Sequence, residues 1–323
     1  SAKNNTTQRI VAETPMALLY KKDLKKLPQW DFEDVYSEDT QHRRPTCAQS
    51  LRNSQDEKFK KAFLPNIRLF LHKDNINMSE WNRLSHFNSP FGFMNYKYDV
   101  QCLQFAQQLV KCILVLSGRM NGAITKGYEE DVGNKTSVYV HTAQSITTSL
   151  YLLKKYGYKS APHDEGIKYV LIPEGMRDFQ WLKALLRGEK VSAGPYRNKL
   201  PRTYYSGQYN ESRFYVLHQD FLRYVRNRFL PSSRLNKTSW AAVRPTNGAF
   251  TVFLALHTCD IVDAYGFMTD DYVKYPNYYV EKKMSKVIFY INHDYNLEKN
   301  TWKDLHNRKI IRLYQRTESK AKN

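Results

Sequence analysis

The chain of 323 residues contains no stretch approaching the roughly 18 consecutive apolar residues that cross a bilayer, so no membrane-spanning helix is expected within it. Its start at Ser1 shows no basic stretch followed by an apolar core and a small-residue cleavage site, which places any targeting signal upstream or already removed. Glycine and proline are sparse, at 13 and 12 residues, and that excludes a collagen-like or low-complexity chain. Cysteine is limited to Cys47, Cys102, Cys112 and Cys259, without CxxC spacing, so no thiolate metal site is expected. Two disulfides in an oxidising compartment and four buried thiols both fit that number. Acidic residues are the remaining shortage: 31 Asp and Glu face 50 Lys and Arg, giving a formal charge of +19. Such a field draws nucleic acid, anionic membranes or small phosphorylated ligands without choosing among them. No helix-turn-helix, zinc-finger or RNP pattern accompanies it, so nucleic acid is not an expected partner.

What is present is a globular composition, 41% hydrophobic and 25% charged, in a chain long enough to bury a sizeable core. Six N-x-S/T sequons, at Asn4, Asn5, Asn77, Asn134, Asn210 and Asn236, point to a lumenal or secreted protein. Residues 1–45 are polar and charge-mixed, with "KNNTTQ", "KKDLKK" and "QHRRPT", and read as a stalk or extended lead-in; residues 46–323 form the domain. "PFGFMNY" reads as a turn laid against a core.

From residue 112 onward, strand-like and helix-like pieces alternate. "ILVLS", "KYVLIP", "RFYVLH", "DIVDAYGF" and "KIIRLYQR" are the strands. The helices are "SITTSLYLLKKYG" from a Ser145 N-cap, "MRDFQWLKALLRG" ended by Gly188, "DFLRYVRNRFL" with Asp220 at its start, "GAFTVFLALHT" and "LEKNTWKDLHNR". This order predicts an α/β fold: a single Rossmann-like domain with a mixed, mostly parallel sheet and helices on both faces.

Two stretches carry groups suited to chemistry. In "RPTNGAFTVFLALHTCDIVDAYGF", residues 244–267, Pro245, Thr246, Asn247 and Gly248 form a polar turn before an apolar helix. Free N–H groups and a hydroxyl there could hold an anionic ligand without a metal, and the same residues also suit an ordinary helix cap. In "YINHDYNLEKNTW", residues 290–302, His293 precedes a helix with Glu298 in its first turn. An imidazole of ordinary pKa near 6.5 takes a proton from a hydroxyl at near-neutral pH. A solvated loop histidine and a glutamate favoured by the helix dipole fit the same pattern.

Content and order together resemble the animal sialyltransferases. Residues 244–267 look like their S motif, and His293 followed after four residues by Glu298 looks like their very short terminal motif. "NGAITKGYEEDVGNKTS" resembles the second half of the L motif. "FLPNIRLFL", "SEWNRL", "PFGFM", "IFYINHD" and "IIRLYQR" resemble the alpha-N-acetylgalactosaminide alpha-2,6-sialyltransferase branch, most closely its type 1, over roughly residues 46–317. The resemblance implies a GT-A-like sialyltransferase variant, anchored in the Golgi through an N-terminal segment, with residues 1–45 as stem remnant. It implies transfer of sialic acid from CMP-sialic acid, inverting and without a metal or other cofactor, to the 6-hydroxyl of GalNAc on Ser or Thr of a glycoprotein. By the same resemblance His293 is the base, and Asn121, Thr246, Asn247, Gly248, Tyr278 and Glu298 belong to the donor site. Cys112 would bridge to Cys259, and Cys47 to Cys102.

The chain also departs from the pattern. Only "ILVLSG" separates Cys112 from Arg119, so about nineteen residues of a βα unit, half of the donor-binding L motif, are missing against the family. Tyr278 and Tyr279 in "PNYYVEKK" stand where His-Tyr is usual, and Asn247 where Ser or Thr is usual. The alternative expectation is therefore an inactive or weakened sialyltransferase-like protein.

Overall fold

The computed structural model describes residues 13–24, 35–39, 53–71, 77–98, 118–207 and 209–315. The expected strand "ILVLS" and Cys47, Cys102 and Cys112 lie outside these residues. Four strands lie side by side in chain order: β1 (Gly118–Met120), β2 (Val138–His141), β3 (Lys168–Leu171) and β4 (Phe214–Val216). Every pair among them is parallel, with Gly118 opposite Val138, Val138 opposite Lys168 and Tyr169 opposite Phe214. A parallel sheet needs cover on both faces, which is why β2 and β4 are buried along their whole length rather than in alternation. A second, two-stranded parallel sheet pairs β5 (Asp263–Ala264) with β6 (Arg312–Leu313).

Eight α-helices accompany the strands among the described residues: α1 (Glu57–Ala62), α2 (Met78–Leu84), α3 (Glu129–Val132), α4 (Ala143–Leu153), α5 (Met176–Arg187), α6 (Gln219–Phe229), α7 (Asn247–Thr258) and α8 (Tyr295–Asn307). Sequential parallel strands with right-handed crossovers place α4 and α5 on one face, and the two helices touch. The apolar α7 packs on β1 and β2, with α6 against it. Helix α4 starts earlier than its sequence suggests, because Thr142 and not Ser145 is the N-cap. Thr142 accepts the Ser145 N–H at 2.9 Å while Ser145 accepts the Thr142 N–H at 2.8 Å, so the serine closes a capping box from the third helical position. Gly188, at φ +71°, ends α5 as its sequence predicts.

The aromatic turn at 90–96 is fixed by packing. Phe91, Phe93 and Met94 are buried, and a Cβ on Gly92 would lie 2.1 Å from the Leu84 carbonyl oxygen, so only glycine fits that crossing. Described parts of the N-terminal lead-in run along the domain. The Met16 N–H donates to Asn82 Oδ1 at 2.8 Å, the Asn95 N–H to the Leu19 carbonyl at 2.7 Å and the Ser37 N–H to Asp220 Oδ2 at 2.7 Å. No helix among the described residues is long and apolar enough to cross a membrane.

Candidate active site at the carboxyl ends of the strands

In an open parallel sheet, ligands meet the loops that leave the carboxyl ends of the strands. Asn121 follows β1 in the left-handed region, φ +52°, a conformation that asparagine tolerates better than most residues. Its backbone is held on both sides: the N–H donates to the Val140 carbonyl at 3.1 Å and the carbonyl accepts the Tyr139 hydroxyl. The side chain is thereby aimed at α7, where Asn121 Oδ1 accepts from Asn247 Nδ2 at 3.3 Å. Two residues expected to share the donor site, one from each half of the chain, are in contact.

Helix α7 begins with four N–H groups that have no partner within the helix. Thr246 is the N-cap and accepts the Ala249 N–H at 3.1 Å. Its own N–H and hydroxyl both donate to Glu298, at 2.7 and 2.6 Å. The Thr246 hydroxyl hydrogen is therefore already committed, and the N–H groups of Asn247 and Gly248 are the ones left open at this terminus among the described residues. A Cβ on Gly248 would sit 3.3 Å from Phe267 and 3.4 Å from the Met120 sulfur, so a side chain there would crowd the same opening.

Glu298 lies behind that cap, only 7% exposed, and joins α8 to α7. Burial pushes its carboxyl up to about 7, against the two hydrogen bonds from Thr246 that favour its charged form. The dipole of its own helix does not account for this placement; the contact with Thr246 does.

His293 stands in the loop before α8, whose N-cap Asp294 accepts the Leu297 N–H at 3.2 Å and the Ser232 hydroxyl at 2.6 Å. Its Nδ1 is 2.9 Å from the carbonyl oxygen of Arg244. A carbonyl only accepts, so Nδ1 carries the hydrogen and Nε2 keeps its lone pair. Asn292 Nδ2 donates to that Nε2 at 3.2 Å. Burial lowers the histidine's pKa, offset in part by the Arg244 carbonyl, so the neutral ring is favoured. The Arg244 N–H donates to the Asn292 carbonyl at 2.9 Å, so the loop before α7 and the loop before α8 are stitched on both sides of residue 244.

The two tyrosines at 278–279 divide the work. Tyr279 donates its hydroxyl to the Ile124 carbonyl and packs edge-on to Tyr128, 5.4 Å between ring centres, on the side of β1. Tyr278 is 44% exposed, its phenol pushed up by burial and by neighbouring Tyr290, on the side of the histidine loop. Cys259 follows α7, its thiol pushed up to about 11 by burial; Cys112, Cys102 and Cys47, its expected partner and the second expected pair, lie outside the described residues. So do Cys112 to Ser117 of the shortened stretch, while the β1 residues after it pair fully with β2.

Arg244, Glu174, Asn292 and Arg234 join the expected residues at this site. Glu174 follows β3 and accepts from Arg244 at 2.7 Å, and Arg234 donates to the His293 carbonyl at 2.8 Å. Their signal was position: Glu174 stands just past a parallel strand, and Arg244 just before the S-like turn.

Residues 115–310, which contain Asn121, Glu174, Arg244, the start of α7, His293 and Glu298, match glycosyltransferase family 29 (sialyltransferase). The chain belongs to that family. It is 39% identical to chicken alpha-N-acetylgalactosaminide alpha-2,6-sialyltransferase 1 over 337 residues, covering 91% of this chain and 60% of that protein. The human type 1 protein is 38% identical, with 93% and 58% covered. Mouse alpha-N-acetylgalactosaminide alpha-2,6-sialyltransferase 2 is 33% identical, with 88% and 87% covered. The chain thus spans about three fifths of the length of the chicken and human type 1 relatives. A crystal structure of a mammalian sialyltransferase superposes with TM-score 0.56 at 20% identity, over 85% of this chain and all of that one, and at that identity the likeness bears on the fold.

Proposed function

We propose that this family 29 chain transfers sialic acid from CMP-sialic acid to the 6-hydroxyl of GalNAc O-linked to Ser or Thr. In this reading O6 attacks the anomeric carbon from the face opposite the phosphate, the acceptor hydroxyl takes the place of the Asn292 amide at His293 Nε2, and Nε2 takes the hydroxyl proton as the bond forms. A positioned general base is commonly worth about 10² to 10⁴ in rate. The bond from the anomeric carbon to the phosphate breaks with inversion, and CMP leaves as an anion. Its charge meets the open N–H groups of Asn247 and Gly248 at the positive end of α7, with the Asn121–Asn247 pair beside them. Thr246 and Glu298 hold that helix end in place from behind.

One observation carries the proposal: the Arg244 carbonyl fixes His293 with its basic nitrogen unprotonated, two residues before the N-cap of α7. No metal enters the reaction in this reading, and the chain works in the Golgi lumen as the soluble part of an anchored protein. To test it, the purified chain is incubated with CMP-sialic acid and a GalNAc-Ser/Thr peptide, and the peptide is weighed. One added sialic acid, released by a sialidase specific for the 2,6 linkage, is the expected result. No product, with a type 2 relative active in parallel, would overturn it.

A further inference from the structure

We infer that Glu174 is a positioning residue for His293, acting through Arg244. This deepens the reading of His293 as the base and rests on it. Glu174 leaves the carboxyl end of β3 and is almost fully enclosed, with its side chain 7% exposed. Each carboxylate oxygen takes one guanidinium: Oε1 accepts from Arg244 at 2.7 Å and Oε2 from Arg177 at 2.6 Å. Arg177 lies in the first turn of α5, so the carboxylate is clamped between a helix of the sheet layer and the loop that leads into α7. Arg244 is not an ordinary loop residue, because its carbonyl is the group that receives the His293 Nδ1 hydrogen at 2.9 Å. Its N–H meets Asn292 at 2.9 Å from the other side. Pro245 then removes one donor and fixes φ at the next position. The orientation of the carbonyl therefore depends on where the Arg244 side chain is anchored, and Glu174 is its anchor on the rigid sheet.

The chain of contacts runs from β3 through Glu174 and Arg244 to the imidazole, and two of its members carry charge. Arg244 disfavours the imidazolium and Glu174 favours it. The other groups facing His293 are Asn292, whose amide donates to Nε2 at 3.2 Å, Arg234 on its carbonyl at 2.8 Å, and Tyr295, edge-on at 5.7 Å. Asp294 is next in the chain, and Glu298 stands in the first turn of α8. Arg177 reaches the imidazole only through Glu174. Arg177 loses its partner when Glu174 is replaced, while Arg234, Tyr295, Asp294 and Glu298 keep theirs; that substitution removes a charge favouring the imidazolium and frees the carbonyl that receives the Nδ1 hydrogen, and both changes lower the titration of His293. A nearby charge shifts a titration whether or not it positions the ring, so the positioning is read from kcat on the plateau of the rate profile.

The test uses the full chain with Glu174→Gln and Arg244→Met, read by the ¹⁵N shifts of His293 against pH and by kcat and KM with CMP-sialic acid and the GalNAc peptide. Glu174→Gln is expected to lower kcat by up to about 10²-fold, the effect of misplacing a catalytic group by about 1 Å, with little change in the KM for donor. In the same variant the His293 titration and the acid limb of the rate profile move to lower pH, and in Arg244→Met the plateau kcat falls as well, because the carbonyl has lost the same anchor. Folding is judged on the same spectra. If Glu174→Gln does not fold, the plateau kcat of Arg244→Met decides: a fall supports the inference and an unchanged value overturns it. Unchanged titration and kcat in folded Glu174→Gln, alongside an inactive His293→Ala, would overturn this inference alone. An active His293→Ala would instead remove the base on which it rests.

Discussion

Two buried carboxylates in first helical turns, Asp220 of α6 and Glu298 of α8, are solved by this fold in opposite ways. Asp220 is fully enclosed and meets guanidinium groups: Arg83 at 2.8 and 3.2 Å and Arg223 at 3.2 Å, with the Ser37 N–H at 2.7 Å. Although burial opposes ionisation, neighbouring His218 and the two arginines hold its carboxyl down at about 2. Among the described residues the Glu298 carboxyl meets an amide N–H and a hydroxyl, both from Thr246, and burial raises it to about 7. The contrast extends to the two histidines. His218 caps α6 by accepting the Asp220 N–H at 3.0 Å and is wholly enclosed, whereas His293 keeps its basic nitrogen turned from the Arg244 carbonyl. The Asp220 junction keeps its charges fixed and paired, which suits a brace. The Glu298 junction keeps its groups near neutrality beside an open helix end, which suits the proposed site, where a phosphate would be met and a proton taken up.

The largest effect that this contrast predicts lies at His293. His293→Ala is expected to lower transfer by about 10² to 10⁴ while CMP still raises the melting temperature, because the helix end that would receive the phosphate is untouched. Retained turnover would place His293 with His218, among the structural histidines. Next in size is Asp220→Asn. It removes the carboxylate between Arg83 and Arg223, and breaking a buried pair by removing one partner commonly costs about 3–5 kcal/mol. The loss is read from denaturant midpoints. A depressed carboxyl adds stability above its ordinary value, 3.8, and loses it as pH falls towards 2, so the deficit of Asp220→Asn should be full at pH 7 and shrink in acid. A deficit independent of pH would deny the charged brace.

The alternation of apolar strands with amphipathic helices was enough to read β3 and β4 of the parallel sheet, since buried parallel strands are near-continuous apolar runs, and Gly188 marks a helix end wherever it is placed; β1, Gly-Arg-Met, carries no such run, and the last two expected strands pair in a sheet of their own. The candidate site was legible in part for a different reason. His293, Thr246 and Asn247 sit in short polar turns before apolar helices, where local pattern is informative. What local pattern could not yield was the pairing between turns. Glu298 reads locally as a dipole-favoured first-turn acid, and only tertiary contact shows it holding the Thr246 N–H and hydroxyl of another helix. Ser145 likewise reads as a cap, yet Thr142 before it closes a reciprocal box. Glu174 has neighbours that mark it as a loop residue, and its partner Arg244 lies 70 positions away.

The smallest and sharpest test concerns Glu298 itself. A carboxyl raised from its ordinary 4.5 to about 7 contributes stability that is complete below pH 4.5 and lost as pH rises through 7, because the unfolded chain releases the proton first. Glu298→Gln keeps an acceptor for the Thr246 N–H and supplies an amide hydrogen to the Thr246 oxygen, but it has no proton to lose. The melting temperature of the native chain relative to this variant should therefore fall between pH 5 and pH 8, by roughly 1–3 kcal/mol in stability, and stay level above that range. The same comparison made for Asp220→Asn should run the other way, with the native advantage growing from acid towards neutrality. If both curves rose with pH, Glu298 would be a second charged brace, and the division between the two junctions would be lost. If only the Glu298 curve falls, the carboxyl behind the α7 cap is a group whose charge the site can change.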